Sequence, residues 1–165
     1  MGVVYKGYTC HFWAVLKFVV ALAAAALIIP SAALAGMSKP EVALLAQMNH
    51  VRVQHHLHTL RYDAHLEHAA QAHTREMLAD DVFQHGAFGS RMLQFDVTGR
   101  LAGENLAWGT GSRATARGVV AAWLASPEHR ANLLRPSFSR VGIGDLAGVF
   151  LGYRGARVVT ADFAG

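Results

Sequence analysis

The apolar pattern of this chain changes character at Pro136, and that change limits the folds open to it. Before Pro136, apolar residues recur at helical spacing, as Leu44, Leu45, Met48 and Val51 do. After Pro136, short segments rich in β-branched and aromatic residues are separated by glycines, a pattern typical of strands. Helices first and strands last predict a layered α+β fold with an antiparallel sheet.

Capping residues and prolines predict where the elements begin and end. A Ser or Asp before an apolar run caps a helix, and a proline disfavours helical geometry in the residue before it. These signals predict helices over 39–55, 63–80, 90–96, 112–126 and 126–134. Strands are predicted over 141–144, 149–151 and 157–163, with turns near 147–148 and 153–155. The segments 56–62 and 99–111 are predicted to be connectors, and 82–89 a loop or a brief strand.

The first 35 residues have the order typical of a secretory signal. Lysines come first, an apolar run over 18–29 follows, and Ala33-Leu34-Ala35 offers a small-residue cleavage site. A transmembrane helix needs about 20 apolar residues, so an uncleaved anchor is the weaker alternative. The sequence therefore predicts a signal peptide over 1–35 and one domain over 36–165, released without a linker or second module into the periplasm or the medium.

Cysteine and charge exclude several kinds of chemistry for the predicted domain. The single cysteine, Cys10, lies in the predicted signal, so the domain has no disulfide and no thiolate nucleophile. Its positive charge is too small and too scattered to favour nucleic acid. Six histidines fall within 19 residues; such a tract can bind metal, but we favour a solvated helical surface. They are His50, His55, His56, His58, His65 and His68.

Several short motifs follow one another along the chain. They are Asn49-x-x-Arg52, Phe83-Gln84-His85, Gly103-Glu104-Asn105, Trp123-x-x-Ser126-Pro127-x-His129-Arg130-x-Asn132, Val141-Gly142-Ile143-Gly144 and Asp162-Phe163. Their order and spacing resemble the CAP superfamily (cysteine-rich secretory proteins, antigen 5 and pathogenesis-related 1 proteins), in its bacterial, disulfide-free branch. The resemblance covers residues 41–164. It implies an α-β-α sandwich around a central antiparallel sheet, and a cleft that carries two histidines and usually two glutamates.

The positions that match this cleft are His85, Glu104 and His129, whereas Ser126 replaces the second glutamate. With Asn105, these residues form the predicted binding site. Two neutral imidazoles and a carboxylate suit zinc or another divalent cation, so His85 and His129 are the predicted metal ligands. Metal-bound water, with Glu104 as the base, could attack a carbonyl group.

Three functions remain open on these residues. The first is a binding domain whose cleft holds a divalent cation, a lipid or a peptide. The second is a metal-dependent hydrolase. The presence of Ser126 in place of the second glutamate counts against this function. The third is a structural envelope protein in which His85 and Glu104 only hydrogen-bond to each other and Arg130 pairs across the cleft. The expected partner is a small ligand, lipid or peptide and not nucleic acid, with a membrane only if the signal is uncleaved, and the protein is expected to be a monomer.

The remaining residues of interest are interpreted as structural. We expect His73 to be a core histidine with satisfied hydrogen bonds, and Asn49 and Arg52 to make structural hydrogen bonds. The two tryptophans of the domain are assigned to the core, although Trp108, beside Glu104, could also line the cleft. Gly142 and Gly144 are expected to mark close packing against a strand.

Overall fold

The computed structural model describes residues 36–165, so the predicted signal peptide lies outside the described residues. Along this range, all of the helices precede the last two strands, as the sequence predicts. The elements are α1 (Lys39–Gln54), β1 (Arg61–Tyr62), α2 (Ala64–Asp80), α3 (Phe88–Gln94), β2 (Ala102–Gly109), a 3-10 turn (Gly111–Ala114), α4 (Ala116–Ala125), α5 (Pro127–Leu133), β3 (Arg140–Phe150) and β4 (Tyr153–Ala164).

The four strands form one sheet in the order β1-β3-β4-β2. The pairs β3–β4 and β2–β4 are antiparallel, and the two-residue strand β1 adds to β3 in parallel. The sheet is thus antiparallel over its three long strands and mixed at one edge. The opposite edge is β2, which pairs only with β4 and carries Glu104.

Helices cover both faces of this sheet. Alternate side chains of β4 point to opposite faces, so this strand contributes to a core on each side. On one side, Val159 and Phe163 join a core with residues of α1 and α4. On the other side, Val158 packs with Leu106 of β2 and Met77 of α2. The predicted α-β-α sandwich is confirmed.

Two glycines of β3 let α2 lie directly on the sheet. A Cβ atom at Gly142 would stand 2.0 Å from the backbone of Leu66, and one at Gly144 would stand 2.5 Å from Oγ1 of Thr74. Both distances are shorter than any real contact, so a side chain at either position would push the helix away. The predicted close packing at these glycines is confirmed.

The caps of the first two helices are confirmed. Ser38 donates its backbone N–H to Oε2 of Glu41 at 2.7 Å, which is half of the predicted capping box. Asp63 accepts from the backbone of His65 and Leu66 at the start of α2. The chain also changes helix at Ser126, as Pro127 requires.

Three sequence predictions of local structure were wrong. The segment 99–111 is not a connector, because Ala102–Gly109 pairs with β4 along its whole length in spite of its glycines. Thr115, not Ser112, caps the long helix α4, since a 3-10 turn intervenes. The strands also run through both predicted turns and reverse at Leu151-Gly152 instead, where both residues have positive φ as a tight hairpin turn requires.

Asn49 and Arg52 of α1 make the structural hydrogen bonds expected of them. The guanidinium of Arg52 is fully buried and donates to four backbone carbonyls in two connecting segments. Asn49 exchanges two hydrogen bonds with the backbone of Leu60. The six clustered histidines, in contrast, are all exposed, which agrees with a solvated surface.

Candidate functional site

The edge strand β2 brings the predicted site residues together. Because successive side chains of a strand point to opposite faces, Glu104 points towards α2 and α3, and Asn105 points towards α5. The backbone carbonyls of Glu104 and Leu106 accept from Nδ2 of Asn132 (3.1 Å) and Nε1 of Trp123 (2.9 Å). These side chains from α4 and α5 occupy acceptors that an edge strand would otherwise expose.

Glu104 is buried, and both of its carboxylate oxygens are engaged. Oε1 lies 2.6 Å from Nδ1 of His85, and Oε2 accepts from Nη2 of Arg91. His85 belongs to the loop before α3 and its side chain is 59% exposed, whereas Arg91 lies on the buried side of α3. The predicted His85–Glu104 contact therefore exists, but it links a loop to a strand, and Arg91 supplies the cation.

A second carboxylate lies beside Glu104. Asp162 of β4 is its cross-strand partner and is fully buried, and within residues 36–165 neither of its carboxyl oxygens has a hydrogen-bond partner. Burial raises the pKa of Asp162 well above its usual range, and the charge of Glu104 raises it further while Arg91 opposes the shift.

His73 of α2 completes the buried side of this cluster. The residue is 1% exposed; its Nε2 lies 2.8 Å from the carbonyl of Gln84 and its Nδ1 lies 3.0 Å from Oε2 of Glu76. Nε2 is also 4.0 Å from Oε2 of Glu104. The expectation of a core histidine with satisfied hydrogen bonds is confirmed, and its ring helps to fix the loop that carries His85.

The other predicted residues lie on the α5 side of β2. Asn105 is fully buried, donates to the backbone carbonyl of His129 at 2.9 Å and accepts from Asn132 at 3.1 Å. Its side-chain amide therefore anchors α5 to the strand. Ser126 is the N-cap residue of α5, and His129 lies in the first turn of that helix.

Ser126 and His129 line an open cleft of about 310 Å³ at the β2 edge. The rest of its wall is apolar and largely aromatic: Phe83, Leu106, Ala107, Trp108, Ala122 and Trp123. Trp108 is half-buried and makes an edge-to-face contact with Phe150, with ring centroids 5.7 Å apart. Trp108 thus lines the cleft, while Trp123 is fully buried and belongs to the core as expected.

The two predicted metal-ligating histidines approach the β2 edge from opposite helical layers. Burial lowers the pKa of His129, and the charge of nearby His85 lowers it further. Both effects favour the neutral imidazole of His129, and the charge of Glu128 opposes them. In the part of the chain that the structure describes, no group of three or more His, Cys, Asp or Glu side chains is arranged to hold a metal ion.

Two residues of this site escaped the sequence analysis. Arg91 makes the ion pair with Glu104, while Arg130, the arginine predicted to pair across the cleft, is exposed. Asp162 was recognised only as part of a motif, although the structure pairs it with Glu104. In the sequence, the available signal for a buried Arg91 was its position next to apolar Met92 on a short predicted helix.

A sheet between two helical layers, with His85, Glu104 and His129 at its β2 edge, points to a family whose model matches this chain. Residues 45–148 match the model of the CAP cysteine-rich secretory protein family. The chain belongs to this family, in its bacterial form without disulfides.

Three relatives illustrate the match. The Bacillus subtilis protein YkwD is 35% identical over an alignment of 101 residues, and the match covers 58% of this chain and 38% of YkwD. An extracellular SCP-domain protein from Bacillus anthracis is 29% identical, with a TM-score of 0.61 over 76% of this chain and 40% of that one. An outer surface protein from Borrelia burgdorferi is 24% identical, with a TM-score of 0.62 over 73% of this chain and 87% of that one.

The chain spans 38% of the length of YkwD and 40% of the Bacillus anthracis chain, so these relatives have further sequence of their own. The two structural neighbours are described as an extracellular and an outer surface protein. Among residues 36–165, the helices are all too short or too polar to cross a membrane.

Proposed function

We propose that this protein is an extracellular or periplasmic binding protein whose cleft at the β2 edge holds the apolar part of a small ligand, a lipid or a peptide. The observation that carries the proposal is the cleft itself, with an aromatic wall on one side and the polar groups of Ser126 and His129 on the other. Its volume of about 310 Å³ is at the small end of ligand sites. A fitting ligand would place one apolar side chain or a short acyl segment there.

The geometry of Glu104 supports binding over hydrolysis. A general base needs a free oxygen within hydrogen-bond reach of the proton that it removes. Both oxygens of Glu104 are held, one by His85 and the other by Arg91, and the side chain is buried. Hydrolysis with Glu104 as the base would require breaking one of these contacts first.

Filling the cleft tests the proposal. Ala121 and Ala122 are neighbouring exposed residues of α4, and of the two only Ala122 lines the cleft, so Ala122→Leu and Ala121→Leu form a matched pair. We expect the dye 1-anilinonaphthalene-8-sulfonate to bind the wild type saturably, and Ala122→Leu to weaken that binding about tenfold or more, since the added side chain occupies the apolar space.

Ala121→Leu should bind the dye like the wild type. Competition by decanoate or by a short apolar peptide would then show which class of ligand is preferred. Equal dye binding by the two variants would contradict a site in this cleft.

A divalent cation is the second candidate, favoured by the orientation of His85. Metal-ligating histidines commonly give their other ring nitrogen to a carboxylate, which is the relation of His85 to Glu104. His85 and His129 would hold the cation, and Glu104 would position His85 without being a ligand. Two imidazoles supply only part of the ligands of a cation, so water would fill the remaining coordination positions. The donor set therefore fits in part. A bound cation would supply Lewis-acid chemistry at the cleft mouth.

Zinc titration by calorimetry on the exported protein tests this candidate. We expect His85→Ala and His129→Ala each to abolish one binding event near pH 7. The double variant His55→Ala/His56→Ala, on the exposed histidine surface, controls for adventitious binding. Loss of zinc binding in that control alone would refute a site at His85 and His129.

A further inference from the structure

A second buried acidic cluster lies where α1, β1 and α2 meet, away from the cleft. Glu41 and Glu67 are each 3% exposed. Glu41 accepts from the backbone N–H of Ser38 at 2.7 Å and from the side chain of Gln71 at 3.3 Å. Oε2 of Glu67 accepts from the hydroxyl of Tyr62 at 2.5 Å. All three donors are uncharged groups.

The other oxygen of Glu67 is unsatisfied. Oε1 is buried and has no hydrogen-bond partner within residues 36–165, where neither Glu67 nor Glu41 forms an ion pair with Lys or Arg. Burial raises the pKa of Glu67 and the charge of Glu41 raises it further, while the Tyr62 hydroxyl and His68 lower it. A buried carboxyl with an open oxygen is costly unless a donor, preferably a cation, completes it.

Gly36 lies directly at this cluster. A Cβ atom built on Gly36 would stand 3.1 Å from the Tyr62 hydroxyl and 3.4 Å from Oε2 of Glu67. The Gly36 nitrogen is about 2.5 Å from that position by covalent geometry, so it lies within about 6 Å of the Glu67 carboxylate. Gly36 is also the first residue after the predicted cleavage site at Ala35.

We propose that the acidic cluster of Glu41 and Glu67 is a binding site for the chain's own processed N-terminus. Hydrolysis of the Ala35–Gly36 amide by a signal peptidase consumes one water, and leaves a carboxylate on Ala35 and an α-ammonium group on Gly36. This ammonium carries the three donors and the positive charge that the Glu67 carboxylate lacks. The precursor has only an uncharged amide N–H at the same position, so processing itself completes the site.

The mature chain is unusually well suited to a direct test. Lys39 is the only lysine after the predicted cleavage site, so reductive methylation with ¹³C-formaldehyde labels two amines, the α-amine and Lys39. The full-length chain is expressed with its signal, and the exported protein is purified, sequenced from its N-terminus and methylated. The two ¹³C signals are then followed by NMR as a function of pH, with Lys39 as an internal reference.

We expect the exported chain to begin at Gly36. Its methylated α-amine keeps the positive charge and one N–H donor, and its pKa should lie above its ordinary range, which is measured on the same methylated amine in urea-unfolded protein. Glu67→Gln should return that pKa to the ordinary range. Glu128→Gln, which removes an exposed carboxylate on α5, should leave it raised. Acetylation of the wild-type α-amine should lower the melting temperature by about 2–4 °C.

A first residue other than Gly36, or an α-amine that titrates in its ordinary range in the wild type, would overturn the proposal. If Glu67→Gln fails to accumulate, Tyr62→Phe replaces it. Removing the hydroxyl donor leaves more negative charge on Glu67, so the α-amine pKa should rise further. An α-amine pKa unchanged by Tyr62→Phe would then also count against the site.

Discussion

Two pairs of buried carboxyl groups lie in this small domain, and the chain compensates them differently. In the first pair, Glu104 is bonded to the guanidinium of Arg91, whose charge also acts on the neighbouring Asp162. Glu41 and Glu67, at the start of α1 and α2, receive only uncharged donors from residues 36–165. The first pair therefore has its cation built into the fold.

The difference shows how one kind of group can serve two purposes. A buried carboxylate that meets a buried guanidinium is fixed in place, and Glu104 in turn holds the ring of His85 beside the β2 edge. A buried carboxylate without a cation keeps an oxygen available, as Glu67 does. We therefore expect that removing Arg91 destabilises the protein at the first pair. At the second pair, we expect that adding a cation stabilises the protein.

The largest effect is expected from Arg91→Leu, which removes the cation of the first pair. Glu104 would remain buried beside Asp162 with only His85 as a partner. Breaking a buried pair by removing one partner typically costs about 3–5 kcal/mol, and the Arg91 side chain is only 8% exposed. Urea unfolding of the exported protein measures this cost.

Arg91→Leu/Glu104→Gln is the matched control, since it removes both charges. It should recover a large part of the stability lost in Arg91→Leu. A double variant as unstable as the single one would mean that Arg91 acts through packing and not through its charge.

A smaller effect of opposite sign is expected from Asp162→Asn. The pKa of Asp162 is raised in the folded state, so between its unfolded value of about 3.9 and its folded value the native protein binds more protons. The free energy of unfolding of the wild type should therefore fall as pH rises through this window. Asparagine is isosteric and cannot ionise, so Asp162→Asn should flatten this fall and stabilise the protein by about 1–2 kcal/mol near pH 7.

Unfolding curves between pH 4 and 8 check the pH dependence. Asp63→Asn offers a contrast, because burial alone would raise the pKa of Asp63 but hydrogen bonds from the backbone of Leu66 and from Arg140 lower it. The stability that an ionised Asp63 contributes is already present above about pH 4, so Asp63→Asn should destabilise the protein across this range and leave the slope with pH unchanged. A pH profile of Asp162→Asn identical to that of the wild type would show that Asp162 is already ionised.

The sequence predicts the helices of this fold better than its site. Capping residues placed α1 and α2 because the signals are local, and the family motifs pointed to His85, Glu104 and His129, which the structure places at the β2 edge. Strand β2 was missed because its glycines resemble a loop, and only pairing with β4 makes it a strand. The role of Arg91 was missed because no local pattern tells which carboxylate a buried arginine meets.

The smallest effect is expected from Tyr62→Phe at the second pair. The Tyr62 hydroxyl donates to Glu67 at 2.5 Å. Removing the hydroxyl takes this hydrogen bond away from the carboxylate. Because Tyr62 is only half-buried, water can replace part of that bond, and the cost should be about 1 kcal/mol. Urea unfolding of the exported protein measures it. A cost as large as that of Arg91→Leu would mean that the two acidic pairs are compensated alike, and would remove the distinction between them.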